Sequence, residues 1–241
     1  MPAPETYGDT WAAIYDEVHS HLDPTAAVQV LAQLAGTGKA LELGIGTGRV
    51  AIPLAARGVA VHGIESSQAM LDRMRAKPGG ADVPVTLGDF TDVGVDGEYA
   101  LIYVVSSTLY GLQTQSTQVA CIRNVAARLA REGVFVFEGF VPDPTRFTAN
   151  QRVQVNRVDA TRIELLVARH DPVEQRVSSQ HIIAGPHGVQ SFPVEVRYVW
   201  PSELDLMAQL AGLRLRERWD DWRHTQYTGS GAHISIYERV R

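Results

Sequence analysis

Through the first half of the chain, short apolar runs alternate with stretches of helical periodicity. Val28, Leu31 and Leu34 share one helical face. Asp23 and Pro24 precede them, which predicts a helix with Asp23 as N-cap and Pro24 in its first position. The glycines at 36 and 38 end it. Apolar runs then predict strands over 39–43, 59–64, 83–87, 99–105 and 133–137, with helices closing at Ala56, over 67–77 and over 115–131. The continuous run from Tyr99 suits a strand buried on both faces. Strands and helices in this alternation predict a parallel sheet with right-handed crossovers.

The second half changes its period. Four strands are expected at 152–155, 162–170, 176–183 and 194–199, with turns at Asp171–Pro172 and around Gly185, Pro186, His187 and Gly188. A helix over 202–211 and strands over 213–219 and 233–239 follow. The expected fold is thus α/β, a Rossmann-like sheet with an antiparallel insertion between the fifth strand and the last helix. Its parts are an N-terminal segment with a cofactor-binding core (1–141), an antiparallel subdomain (142–200), and the end of the α/β core (201–241). Pro142, Asp143 and Pro144 form the expected hinge.

Composition narrows the function. No apolar run approaches the ~20 residues of a membrane span, and Met1 to Thr10 carry neither a basic nor an apolar leader. One cysteine, Cys121, excludes an internal disulfide and a cysteine-rich zinc site, and its place on a long helix reads as packing. The cytoplasm is the expected compartment. A net charge of −5 argues against a nucleic-acid partner. The eight histidines show no metal-ligand spacing.

The sharpest signal is Glu42-Leu43-Gly44-Ile45-Gly46-Thr47-Gly48-Arg49, directly after a strand and opening a helix. Glycines there let backbone approach a ligand closely. The third glycine comes one residue too early for G-x-G-x-x-G, which counts against a nicotinamide or flavin oxidoreductase. Glu65 ends the next strand and can accept from ribose hydroxyls, and Asp89, in Gly88-Asp89-Phe90 after the third, can accept from an adenine amine. Taken alone, each acid could be a solvated strand end or a helix cap.

The glycine loop, Glu65, Gly88-Asp89-Phe90 and Leu101-Ile102-Tyr103 together resemble the class I S-adenosylmethionine-dependent methyltransferases over Leu41 to about Phe137. The resemblance implies a seven-stranded sheet with a reversed last strand and S-adenosylmethionine as cofactor. It implies cofactor contacts from Tyr15, Glu42, Gly44, Ile45, Gly46, Glu65, Ser66, Met70, Gly88, Asp89, Phe90 and Val105, and no metal. The flanks resemble the antibiotic- and sugar-amine-tailoring N- and O-methyltransferases, whose tyrosine-rich N-terminal segment folds over the cofactor. Here that segment offers Tyr7, Trp11 and Tyr15, and a continuous helix would put both tyrosines on roughly one face. Tyr7 and Tyr110 are the implied catalytic candidates. The loop from Val105 to Leu112 lacks the histidine of the sugar-amine enzymes, which favours N- over O-methylation.

His181 reads as a surface strand histidine rather than a base. Glu138 lies at the carboxyl edge, where such sheets bind ligands, and the loop with Trp219, Trp222 and Tyr227 is either core or lid. A small-molecule substrate is expected. An exposed meander could also pair across a two-fold axis to give a homodimer. A repurposed fold that binds the cofactor without transferring methyl is the alternative from another class.

Overall fold

The computed structural model describes residues 7–186 and 188–240. In chain order its elements are α1 (Tyr7–Trp11), α2 (Tyr15–Val18), α3 (Thr25–Ala35), β1 (Ala40–Leu43), α4 (Ala51–Ala55), β2 (Val61–Glu65), α5 (Gln68–Arg75), β3 (Val85–Leu87) and β4 (Tyr99–Val104). Then come α6 (Gln115–Arg128), β5 (Leu129–Phe140), the strands β6 (Gln151–Val158), β7 (Ile163–Asp171), β8 (Arg176–Gly185) and β9 (Gly188–Arg197), and finally α7 (Pro201–Leu210), β10 (Leu213–Trp219) and β11 (Ala232–Arg239).

Seven strands form one sheet in the order β10-β11-β5-β4-β1-β2-β3. The central strands run parallel, and β11 is antiparallel to both β5 and β10. This is the reversed last strand that the resemblance implies. The four residues of β1 are all buried. Helices cover both faces, giving one apolar layer around α6, α7, Phe135 and Phe137 and another around α3, α4, Leu101 and Ile234. Burial on both faces is why these strands read as unbroken apolar runs.

β6 to β9 form a separate four-stranded antiparallel sheet. A buried ion pair fixes its last strand to the core. Arg197 reaches Glu203 on α7 at 2.9 Å and Gln118 on α6 at 2.6 Å. β9 begins six residues before its expected start at Val194, and Pro193 sits within it opposite Gln180. β9 is an edge strand, where a missing N–H is tolerated. His187, in the turn before it, lies outside the described residues.

Two further expectations shift. α3 starts at Thr25 rather than Pro24, although Asp23 Oδ1 still accepts from the Thr25 amide at 2.9 Å. The N-terminal segment is two short helices rather than one. Trp11 turns inward between them, and its indole donates to the Pro193 carbonyl. The chain therefore bends to bury an aromatic ring at the expense of helix continuity.

Candidate active site

Most functional candidates of the α/β core lie where the parallel strands end, while Glu42 lies within β1 and Met70 on α5. Gly44 (φ +70°) and Gly46 (φ +57°) adopt left-handed backbone in the turn after β1. A Cβ on Gly46 would meet nothing, and the same holds at Gly88 after β3. These two backbone stretches face open space that a ligand can fill. Gly44 is closed in by Thr108 and the Phe90 ring. Ile45 turns inward, its side chain filling the place a Cβ on Gly63 would need, so it supports the turn from beneath.

Glu65 organises this cradle. Its Oε2 accepts from the Gly46 amide, and its Oε1 accepts from the Ser66 and Ser67 amides, all at 2.9 Å. A carboxylate has about four lone-pair sites, so Oε2 keeps one for a ribose hydroxyl. Asp89 is exposed, and its Oδ1 caps Thr91 through the amide and hydroxyl, both at 2.7 Å. The local cap and an adenine contact are compatible, since Oδ2 has no partner among the described residues. Phe90 packs against the core beside Gly44.

Glu42 lies almost wholly buried and accepts from the Tyr103 hydroxyl at 2.9 Å. Burial pushes its carboxyl up to about 8, against the opposing pull of Tyr103 and Arg49. It is held in its neutral form around the middle of the pH range. Val105 is buried at the end of β4, and Met70 is buried beneath Trp11.

The two N-terminal helices cover this edge. Ser67 donates to Asp9 at 2.6 Å, and Thr47 of the glycine loop donates to Asp16 at 2.6 Å. Lys77 joins the same knot through Asp16 and the Thr47 carbonyl. Burial first, then each other's proximity and that of Glu65, raises the Tyr7 phenol. Tyr15 is likewise raised, and it senses Arg49, Glu42 and Glu65. Tyr7 stacks on Trp11 with ring centroids 5.6 Å apart, and its ring stays half-exposed. His19 stacks on Tyr15 with ring centroids 4.2 Å apart, and Trp11 packs edge-on to His181 at 5.0 Å. His181 is therefore half-buried under the lid rather than on an open surface.

Tyr110 has a different place from the one expected. It is fully buried, and its hydroxyl donates to the Phe140 and Val199 carbonyls at 2.9 and 3.3 Å. Its ring and proton are used to tie β5 to the end of the insertion. In that loop Ser106 is exposed and Ser107 half-buried, and both are left-handed (φ 55° and 62°). Such backbone costs roughly 1–3 kcal/mol per residue and is retained where the surroundings over-determine it. Here Glu138 Oε2 accepts from the Ser106 amide, its carbonyl accepts from Ser107, and Arg49 donates to the Ser106 hydroxyl. The Trp222 indole donates to Glu138 Oε1 at 2.8 Å, so the aromatic loop closes onto the same edge.

Arg49, Asp16, Thr47, Lys77 and His19 were not singled out by sequence as site residues. Arg49 lay inside the motif, and its position was the available signal. Thr47 lay inside it too, but its bond to Asp16, like the bond of Lys77 to Asp16, joins segments far apart in sequence. Among the described residues no cluster of histidine, cysteine and acid side chains could hold a metal, and Cys121 is buried, as packing predicts.

A methyltransferase domain model matches residues 40–133. The chain is 27% identical over 221 residues to the cypemycin N-terminal methyltransferase of a Streptomyces species, covering 89% of each. The structure of the CcbJ methyltransferase from Streptomyces caelestis superposes with a TM-score of 0.91 at 36% identity, covering 98% of both chains. The SAM-bound amino pentose methyltransferase CalS10 from Micromonospora echinaspora shares the fold (TM-score 0.63, 20% identity, 97% of this chain and 92% of that one). The open backbone at Gly46 and Gly88 and the spare acceptor on Glu65 fit an adenosyl cofactor. With a relative this similar over its whole length, the chain belongs to the class I S-adenosylmethionine-dependent methyltransferases.

Proposed function

We propose that the enzyme methylates the nitrogen of a small amine-bearing metabolite. The observation that carries this reading is the lid. Tyr7 stacks on Trp11, Trp11 lies beside His19, His19 stacks on Tyr15, and His181 reaches Trp11 from the insertion. The His19 Nδ1 donates to the Tyr15 carbonyl at 2.8 Å, which leaves Nε2 as an acceptor. Burial lowers the His19 pKa against the opposing pull of the Tyr15 carbonyl, and Arg49 lowers it further. A neutral acceptor beside electron-rich rings suits an amine N–H, because an amine needs its lone pair oriented rather than a proton removed by a strong base.

Bound S-adenosylmethionine supplies a methyl group already activated by its sulfonium. The cradle of Gly44, Gly46, Gly88, Glu65 and Asp89 holds and orients it, with Glu42, Ser66, Phe90 and Val105 around them. Tyr7 and Tyr15 wall the transfer site and exclude water. Positioning of this kind contributes roughly 7–11 kcal/mol. Tyr110 acts through the backbone it ties, as a positioning residue. The names of the cypemycin N-terminal and amino pentose relatives support nitrogen as the acceptor.

The test is mass spectrometry of matched amine and hydroxyl metabolites incubated with enzyme and S-adenosylmethionine. Gain of one methyl on amines alone is expected. Gain on hydroxyls alone would sink the nitrogen reading. Gain on neither, despite a thermal shift with S-adenosylhomocysteine, would favour a repurposed fold.

A further inference from the structure

The inner face of the insertion sheet can be followed row by row, because directly opposed residues in an antiparallel ladder point the same way. His181 and Phe192 form the row under Trp11. The next row runs from Val194 on β9 through Ser179 and Ala168 to Arg152 on β6. At its β9 end Val194 packs into the Trp11 cluster, to which Tyr15 also belongs. At its β6 end the face turns cationic. Three strand spacings of about 4.8 Å put Arg152 roughly 14 Å from Val194.

A tight turn sets a second cation beside the first. Thr148 and Gln151 exchange both backbone hydrogen bonds at 2.9 Å around Ala149 and Asn150, which are left-handed (φ 49° and 59°). A two-residue turn of this kind needs such backbone at both positions, and alanine adopts it only at a cost. The turn folds the segment before β6 back along it. Phe147 then packs on His170, with ring centroids 4.7 Å apart. Burial first, then the neighbouring Arg146 cation, lowers the Arg152 pKa, and Asp143 pulls it up. Arg152 is half-buried and Arg146 exposed, and neither guanidinium has a hydrogen bond or ion pair among the described residues. The acids nearby are engaged. Asp143 Oδ1 accepts from the Thr145 amide and hydroxyl, and Glu164 pairs with Arg162. Like charges held together by strained backbone are costly, and such strain is retained where a ligand is held. One acid beside two cations leaves a positive charge in surplus, which matches a carboxylate better than a doubly charged phosphate.

We propose that the acceptor carries a carboxylate as well as its amine, gripped between Arg146 and Arg152 at the far end of the insertion's inner face, a reading that rests on the amine acceptor argued above. Guanidinium forks suit this group because two parallel N–H donors match its two oxygens. The length of the row sets the span from the lid cluster to the carboxylate at roughly 14 Å. The acceptor is therefore an elongated amino-carboxylic acid rather than a compact one.

Calorimetry on the full chain loaded with S-adenosylhomocysteine tests it, with ω-amino acids of graded chain length and their methyl esters as probes. The longer acids are expected to bind at least tenfold tighter than their esters. Arg152→Gln and Arg146→Gln are each expected to bring the acids down towards the ester level and to leave S-adenosylhomocysteine affinity unchanged. Arg152→Glu is expected to reverse the preference, so that α,ω-diamines of the same length bind in place of the amino acids. Thermal melts check that each variant is folded. Acids and esters that bind alike, no binding by any acid, or acid binding indifferent to both arginines overturns the proposal. Mass spectrometry of the same probes with S-adenosylmethionine separates this reading from the one it rests on. Arginine-dependent binding without methylation sinks nitrogen transfer and leaves the carboxylate site standing. Acid and ester methylated at equal rates, unchanged in Arg152→Gln, sink the carboxylate site alone.

Discussion

The two sheets do opposite things with apolar residues. In the seven-stranded sheet both faces are covered, and only the strand ends are left open. In the four-stranded sheet one face is covered by the lid and the other is open. A sheet buried on both sides is rigid and presents chemistry from its loops. A sheet buried on one side contributes a wall. The comparison separates the glycine turn, Glu65 and Asp89, which sit at strand ends, from His181 and Phe192, which sit on a strand face under Trp11.

The largest way to break this arrangement is to cut the joint between the sheets. Arg197→Met takes the cation from Glu203, which keeps Gln115 and Gln175 as donors, and removing one member of a buried pair costs up to about 3–5 kcal/mol. A denaturant midpoint that does not move would show that the joint is not structural. The joint should loosen the insertion while leaving S-adenosylhomocysteine affinity close to that of the wild type.

Glu42 sharpens the comparison from the core side. Its folded pKa, about 8, lies above the ordinary 4.5. Above pH 4.5 the unfolded chain loses this proton while the native state keeps it, so the native state binds more protons. Stability therefore falls as pH rises from about 4.5 to 8, by roughly 1.4 kcal/mol for each unit of elevation. Melting temperatures at pH 6 and pH 9 should differ less in Glu42→Gln than in the wild type. An equal difference in both would move the titration elsewhere.

Glu65→Ala comes next. It removes an acceptor from the cofactor and orphans three amides, and one charged hydrogen bond is worth about 1.5–3 kcal/mol. Calorimetry with S-adenosylhomocysteine should show affinity lower by on the order of 10- to 100-fold. Unchanged affinity would remove Glu65 from the site. Tyr110→Phe has the smallest effect, about 1 kcal/mol of stability for its lost hydrogen bonds. If Tyr110 positions the loop, turnover should fall in step with loop disorder while cofactor affinity stays near wild type.

How the candidate site could be read differed from part to part. The glycine loop, Glu65 and Asp89 are local: each follows a strand within a few residues, and the order of strands fixes where it points. Tyr110 and His181 were not legible. Their environments come from the Phe140 and Val199 carbonyls and from Trp11, all distant in sequence. The first half of β9 was not expected, and it contains Pro193, a residue tolerated at a sheet edge but not in its interior. Only the pairing order shows which strand is the edge.

Periodicity and turn residues by themselves determined the order of strands and helices, the insertion and the cofactor loop. These depend on short-range backbone preference and on which side chains avoid water. The tertiary structure alone decided that Tyr110 is an anchor, that the tyrosine lid breaks around Trp11, and that Ser106 and Ser107 are held left-handed by Glu138. Each of those outcomes requires a partner brought from far along the chain, and local free-energy preferences carry no information about that partner.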